Sequence, residues 1–220
     1  EVSPIAIQQA AEKNFKNGYY CCEALMCTIR DAFKLDVPEE VIAMSSGMAV
    51  GLGKSGCCCG ALNGGVLALG LFFGRTEQDG PTNPKSIKCM ELTNELHDWF
   101  KKANQKNAIC CRILTKEFDK GKGEHKEQCI FFTGLCAWKV AQIVCRELGI
   151  KNLDEVDEPA PRRKLEEIYK QEGMRDMKDI IKKVSIPFCG VMLGFAALGN
   201  LLQSYGEGIR YACGIVAAFI

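Results

Sequence analysis

Apolar residues recur at spacings of three and four through most of residues 1–150, and no segment sustains the two-residue alternation of a half-buried strand. Ser3-Pro4 reads as a cap and first helical residue, opening a helix that carries Ile7, Ala10, Ala11 and Phe15 on one face and closes near Gly18. A second helix is predicted over 20–34, its stripe formed by Cys21, Ala24, Leu25, Ile29 and Ala32. Cys22 lies about 100° round from Cys21, so only one of the two faces a given site squarely. Asp36-Val37-Pro38-Glu39-Glu40 caps a third helix running toward Gly47. From Gly60 to Phe73 the chain is apolar on every side except at Asn63. It is too short for a bilayer core of about 30 Å, so a helix buried in a protein core is predicted.

Beyond Gly74 a polar turn region with two prolines leads to an amphipathic helix over 84–103, with Ile87, Met90, Leu92, Leu96, Trp99 and Phe100 on its apolar side. A short helix follows from Cys110-Cys111-Arg112 through Phe118, and the Gly121-Lys122-Gly123 loop ends it. A long helix over 124–148 carries Cys129, Cys136 and Cys145 and closes at Gly149, a sound C-cap. The fold expected is all-α: a multi-helix, cysteine-rich domain over 1–150.

After it the pattern changes. Asp154 to Pro161 is acidic and carries prolines, and Arg162 to Lys183 reads as a charged helix with little apolar face, so 151–184 is assigned as a linker. Val184 to Gly206 carries no charge and holds closely spaced glycines (Gly190, Gly194, Gly199) suited to helix packing in lipid. Tyr211 to Ile220 is apolar again but too short to span. Residues 185–220 are therefore read as a truncated membrane segment, one transmembrane helix plus the start of a second. Arg175, Lys178, Lys182 and Lys183 before the span are expected to place the 1–150 domain in the cytoplasm of a membrane-associated protein.

Composition changes the picture at one point. A net charge of +1 and 25% charged residues give no concentrated basic face, so nucleic acid is not an expected partner. Gly53-Lys54-Ser55 lacks the glycine a phosphate-binding loop needs at position 48, where Met stands, and no strand precedes it. Cysteine is the outlier, at 14 residues. Glu1 to Ile7 shows no basic-then-apolar leader, so the expected compartment is reducing, and cysteines there signal metal, cluster or redox chemistry. The chain begins at Glu1 rather than Met, which suggests processing or a fragment. Cys57-Cys58-Cys59 stands at the mouth of the buried helix, where unpaired N–H groups and the helix dipole are expected to favour a Cys59 thiolate.

Gly18-Tyr19-Tyr20-Cys21, Cys59-Gly60-Ala61-Leu62-Asn63-Gly64, Cys111-Arg112-Ile113-Leu114 and the helical Cys129 resemble the redox-active family known by its motif C_GCAxxG_C_C, over about residues 5–149. The resemblance implies a helical fold. Related cysteine positions occur in split-Soret cytochromes, which carry an iron–sulfur centre besides haem; no Cys-x-x-Cys-His is present here, and haem is not expected. The chain departs from the family pattern by doubling or tripling cysteines and by Asn63 in place of the usual Thr. Ile186 to Asn200 is similar to the first transmembrane helix of the tellurite-resistance/C4-dicarboxylate transporter family.

The resulting expectation is that Cys21, Cys59, Cys111 and Cys129 converge from four helices to bind an iron–sulfur cluster for electron transfer, with Cys22, Cys58, Cys110 and Cys136 in reserve. Two other chemistries compete. Cys59 as an attacking thiolate resolved by Cys21 or Cys111 makes a thiol–disulfide sensor for the attached membrane protein. Four cysteines, or three with His125, make a structural zinc site. His125 reads as a surface residue in a basic stretch, and His97 has no cysteine at ligand spacing. A redox role requires an electron donor or acceptor protein, which no motif identifies, and a homo-oligomer fits as well. A regulatory or membrane-tethering module without catalysis is the remaining class. No serine–histidine–acid set, paired catalytic carboxylates or dinucleotide loop is present in the order of residues.

Overall fold

In the computed structural model, residues 1–119, 121 and 123–161 are described. The predicted charged helix over 162–183 and membrane span over 185–220 lie outside the described residues. By packing, the chain divides into a unit Glu1–Arg162 and a unit Arg163–Ile220, and the first is the subject here.

Local signals explain most helix boundaries. Ser3 accepts the Ala6 N–H at 3.0 Å and Pro4 occupies the first turn of α1, Pro4–Lys16, where a missing N–H costs nothing. Glu23 reaches back to the Tyr20 N–H at 2.8 Å to start α2, Cys21–Ala32. The predicted third helix is instead one turn, α3 (Glu40–Ala43), followed by a 3₁₀ turn at Ser46–Met48. The Ser45 hydroxyl donates to the Ile42 carbonyl at 2.7 Å, where the next helical N–H belongs. Next come α4, Gly60–Phe73, and α5, Pro84–Ala103, capped by Asn83. Then α6, Cys111–Thr115, ends earlier than the predicted Phe118. Gly123 and Gly149 bracket α7, Glu124–Leu148, both with positive φ (77° and 63°). Among the described residues all regular structure is helical, with only two isolated β-bridges.

α7 is the spine. At 25 residues it is long enough, and over an 18-residue window apolar enough, to cross a membrane, but most of that window is buried inside this unit, where the helix packs on α1, α2, α4 and α5. Phe132 meets Phe100 of α5 edge-on at 5.5 Å, and Val140, Ile143 and Val144 are fully enclosed. Each such side chain contributes roughly 1.5–3 kcal/mol by burial. α4 passes between α2, α5 and α7 because two adjacent glycines face opposite neighbours. A Cβ on Gly64 would stand 3.0 Å from Cys22 Cα, and one on Gly65 2.7 Å from Leu96 Cδ2.

Residues 151–161 lie on this unit. Val2 bridges Asn152, Asp154 accepts the Ser3 hydroxyl and the Ile5 N–H (2.8 Å), and Ala160 N–H donates to Gln8 at 2.9 Å.

Candidate functional site: a cavity walled by four thiols

Helix starts deliver the cysteines. Cys21 is the first residue of α2, Cys59 is the N-cap of α4, and Cys111 is the first residue of α6. Cys129 sits between the first and second turns of α7. All four line one cavity of about 190 Å³, whose other walls include Phe15, Val50, Leu114 and Phe132. The lining is mostly apolar apart from the sulfurs and the side chains of Tyr20, Thr115, His125 and Lys126. Gly60 is required here, because a Cβ at that position would overlap the Cys21 sulfur and stand 3.1 Å from the Met48 carbonyl.

A backbone pairing brings α4 and α6 together. Cys59 N–H donates to the Ile109 carbonyl at 2.8 Å, Cys111 N–H to the Cys57 carbonyl at 2.5 Å, and Arg112 N–H to the Gly56 carbonyl at 3.0 Å. The loop leading in is wound left-handed: Val50, Gly51, Leu52, Gly53 and Lys54 all have φ between 52° and 73°. For Val50, Leu52 and Lys54 this conformation costs about 1–2 kcal/mol each. It is held by bonds from Gly53 N–H to the Gly47 carbonyl (2.9 Å) and from Cys57 N–H to the Gly51 carbonyl (3.0 Å). A side chain on Gly51 would strike the Gly56–Cys57 backbone, so the return of the chain toward Cys59 depends on that glycine.

The reserve cysteines stand elsewhere. Cys22 does not line the cavity; its thiol donates to the buried Ser45 carbonyl at 3.0 Å and stays within hydrogen-bond reach of the Cys21 sulfur. Cys58 and Cys110 face each other across the bridge between the two segments. Cys136 is enclosed in the core, two turns along α7 from Cys129.

Electrostatics correct the expected Cys59 thiolate. Burial pushes the Cys59 thiol well up, and the neighbouring Cys21 adds to it. Backbone N–H groups of Leu62 and Ala61 pull the other way but do not win. Desolvation of a fully enclosed sulfur outweighs the helix start. Cys129 is pushed up to about 12, by burial first and then by Cys21 and Cys111. Cys21 is raised by its hydrogen bond with Cys22 and by burial, while the backbone of Val50 and Cys22 opposes the shift. Cys22 is lowered by that same hydrogen bond. In the absence of a cation Cys21, Cys59 and Cys129 thus keep their protons. The cavity's N–H groups are nevertheless placed to stabilise thiolates once positive charge arrives.

His125, expected at the surface, is partly exposed. It lines the cavity with Nδ1 3.9 Å from Cys129 Sγ, because residues i and i+4 share a helix face. That spacing was the available signal. His97 pairs with Asp98 at 2.8 Å at the surface. Among the described residues no three His, Cys, Asp or Glu side chains are grouped closely enough to hold one metal ion.

Fold and site together define an all-helical, cysteine-rich domain built round a buried thiol cavity. The chain belongs to the family described as "Putative redox-active protein (C_GCAxxG_C_C)", whose pattern matches residues 19–143. No curated protein and no solved structure matches the chain. It is a redox-active family domain, and all four cavity cysteines fall within the matched residues.

Proposed function

We propose that Cys21, Cys59, Cys111 and Cys129 hold an iron–sulfur cluster and that the domain transfers electrons through it. The observation that carries this reading is the shared cavity. Four thiols surround a void of about 190 Å³ rather than a point. A single zinc ion requires four sulfurs about 2.3 Å from one centre; a polynuclear cluster takes sulfurs spread round a larger volume. The residues present suit such a group. The walls are mostly apolar, and backbone N–H groups approach the sulfurs of Cys21 (from Cys22 and Val50) and Cys59 (from Ala61 and Leu62). Such bonds favour thiolates and tune a cluster's potential. When bound, the cluster supplies a one-electron couple; the protein holds it, keeps bulk water out, and positions His125 beside the Cys129 sulfur.

The full burial and raised pKa of Cys59 argue against its acting as the attacking thiolate of a disulfide exchange, which needs a sulfur that the reagent can reach. The C-terminal stretch 185–220 completes the proposal as a membrane-anchoring segment of transporter-like character. It is supported by the uncharged run from Val184 to Gly206 and the preceding lysines.

Anaerobic purification followed by iron, zinc and acid-labile sulfide analysis tests the cluster. Iron and sulfide in near-equal amounts, lost in Cys59→Ser and Cys129→Ser but retained in Cys22→Ser, is the expected result. Zinc without sulfide, or no metal after reconstitution, overturns it.

A further inference from the structure

Cys58 and Cys110 are two of the adjacent cysteines that the four-thiol cavity does not use. They are paired directly across an antiparallel bridge between two segments far apart in sequence. The flanking hydrogen bonds fix the kind of pair. Cys59 N–H donates to the Ile109 carbonyl and Cys111 N–H to the Cys57 carbonyl, so the bonds lie on either side of the pair and none joins Cys58 to Cys110. This is the narrow, non-hydrogen-bonded type of position, with Cα atoms about 4.5 Å apart and side chains on one face. A disulfide requires Cα atoms about 4.4–6.8 Å apart with converging Cβ vectors. Both thiols are half-buried rather than enclosed, and the adjoining Cys57 is exposed, so a small reagent can reach the bridge.

The geometry points to a reversible Cys58–Cys110 disulfide, formed by exchange with a low-molecular-weight disulfide such as oxidised glutathione, that latches the Cys59 and Cys111 walls of the cavity together. One thiolate of the pair attacks a sulfur of the reagent, breaking its S–S bond, forming a mixed disulfide and releasing one thiol. The second thiolate then attacks the protein sulfur of that mixed disulfide and releases the other thiol. Two cysteine thiols are oxidised, one small disulfide is reduced to two thiols, and the two protons lost from cysteine end on the released thiols. Each latch residue immediately precedes a cavity cysteine, Cys59 or Cys111. Closing the bond therefore fixes the register of those two ligating segments without consuming either cavity sulfur. Small molecules reach the bridge before the cavity, because Cys59 and Cys111 are buried and Cys58 and Cys110 are only half so.

The latch does not depend on which metal, if any, the cavity holds, and its test reads no metal. The full chain is equilibrated with oxidised and reduced glutathione, trapped with acid and N-ethylmaleimide, digested with trypsin and mapped by mass spectrometry. Cleavage after Lys54, Arg75, Lys106 and Arg112 separates the peptide 55–75 from the peptide 107–112. The expected result is a dithiothreitol-sensitive cross-link between these peptides, placed by fragmentation at Cys58 and Cys110. It persists in Cys57→Ser and disappears in Cys58→Ser, where exchange stops at a glutathione adduct on Cys110. Fragmentation of the wild-type pair locates the bond even if a variant fails to fold. No cross-link, a glutathione adduct alone on the wild-type chain, or a cross-link that survives Cys58→Ser or Cys110→Ser overturns the proposal.

Discussion

The sulfur of Cys21 occupies the space that a side chain on Gly60 would need. The first residue of α2 and the first residue of α4 are thereby locked in contact, and the cavity is framed on that contact. Gly60→Ala is expected to drive the Cys21 sulfur off its position, since the other neighbours, the Met48 carbonyl at 3.1 Å and Ala49 Cα at 3.4 Å, are backbone and yield little. Overpacking of this kind costs about 1–3 kcal/mol. The expected outcome is a lower unfolding midpoint in urea and a large loss of iron in reconstituted protein, with helical circular dichroism retained. Wild-type iron content in Gly60→Ala would show that the contact does not frame the site.

The raised thiols make the metal-free, reduced chain sensitive to alkali. Cys129 is held up to about 12 and Cys59 and Cys136 are pushed well above their ordinary value, chiefly by burial. Unfolded thiols titrate near about 8.5. Between those values the folded chain keeps protons that the unfolded chain releases. Stability is therefore complete below about pH 8.5 and is lost as pH rises toward about 12, by up to about 1.4 kcal/mol per pH unit for each such group. Urea unfolding of the apo protein is expected to show a falling midpoint from pH 8 upward, less steep in Cys136→Ala. A midpoint that stays level to about pH 10 would contradict the burial of these sulfurs.

Two glycines of α4 have opposite roles. Beside Gly64 a Cβ meets Cys22 Cα at 3.0 Å and its carbonyl oxygen at 3.1 Å, while beside Gly70 nothing outside the helix's own backbone lies within 4 Å. Gly64→Ala is expected to destabilise by about 1–3 kcal/mol through forced separation of α2 and α4. Gly70→Ala is expected to stabilise by about 0.5–1 kcal/mol by restoring helix propensity. Thermal melts of the two variants should move in opposite directions; movement in the same direction would refute the close α2–α4 packing.

What could be read without the structure follows the range of each interaction. The Ser3-Pro4 start, the Gly149 stop and the placing of Cys21 but not Cys22 on the cavity are matters of one or two turns, and each was legible in residue order. The four cavity cysteines were legible through the spacing of a family pattern. The protonated state of Cys59 was not, because helix position is local whereas desolvation is set by residues distant in sequence, such as Cys21, Val50 and Phe132, that wall the same cavity. Nor was the partnership of Cys58 with Cys110, which no periodicity links. It arises where the left-handed loop turns residues 56–59 alongside 109–112. The break after Ala43 was missed because Ser45 looks like an ordinary helical residue until its hydroxyl takes the Ile42 carbonyl.

The acid limit of stability is set at Glu95 of α5, which two cations of α7 hold. Arg146 grips both carboxylate oxygens, at 2.9 and 2.7 Å, and Lys139 Nζ stands 2.9 Å from Oε1 with only 8% of its side chain exposed. Lys139 also lies over the Trp99 ring, 5.6 Å from its centroid, and Trp99 stacks on Trp138. The Arg146 hydrogen bonds first, and then Lys139, hold the Glu95 carboxyl down to about 2. An unfolded glutamate titrates near about 4.3. The clamp's contribution is thus fully present above about pH 4.3 and is lost as pH falls toward about 2. Glu95→Gln keeps the shape but leaves the buried Lys139 ammonium without its counter-charge. Because Glu95 itself is about one-third exposed (33%), solvent screening reduces the cost, and about 1–3 kcal/mol is expected at neutral pH. Lys139→Met should recover part of that loss in the double variant, since the two residues act as a pair. Urea midpoints measured from about pH 7 down to pH 2.5 should fall less steeply in Glu95→Gln than in the wild type. Equal acid slopes would mean that the carboxylate is not held by these two cations.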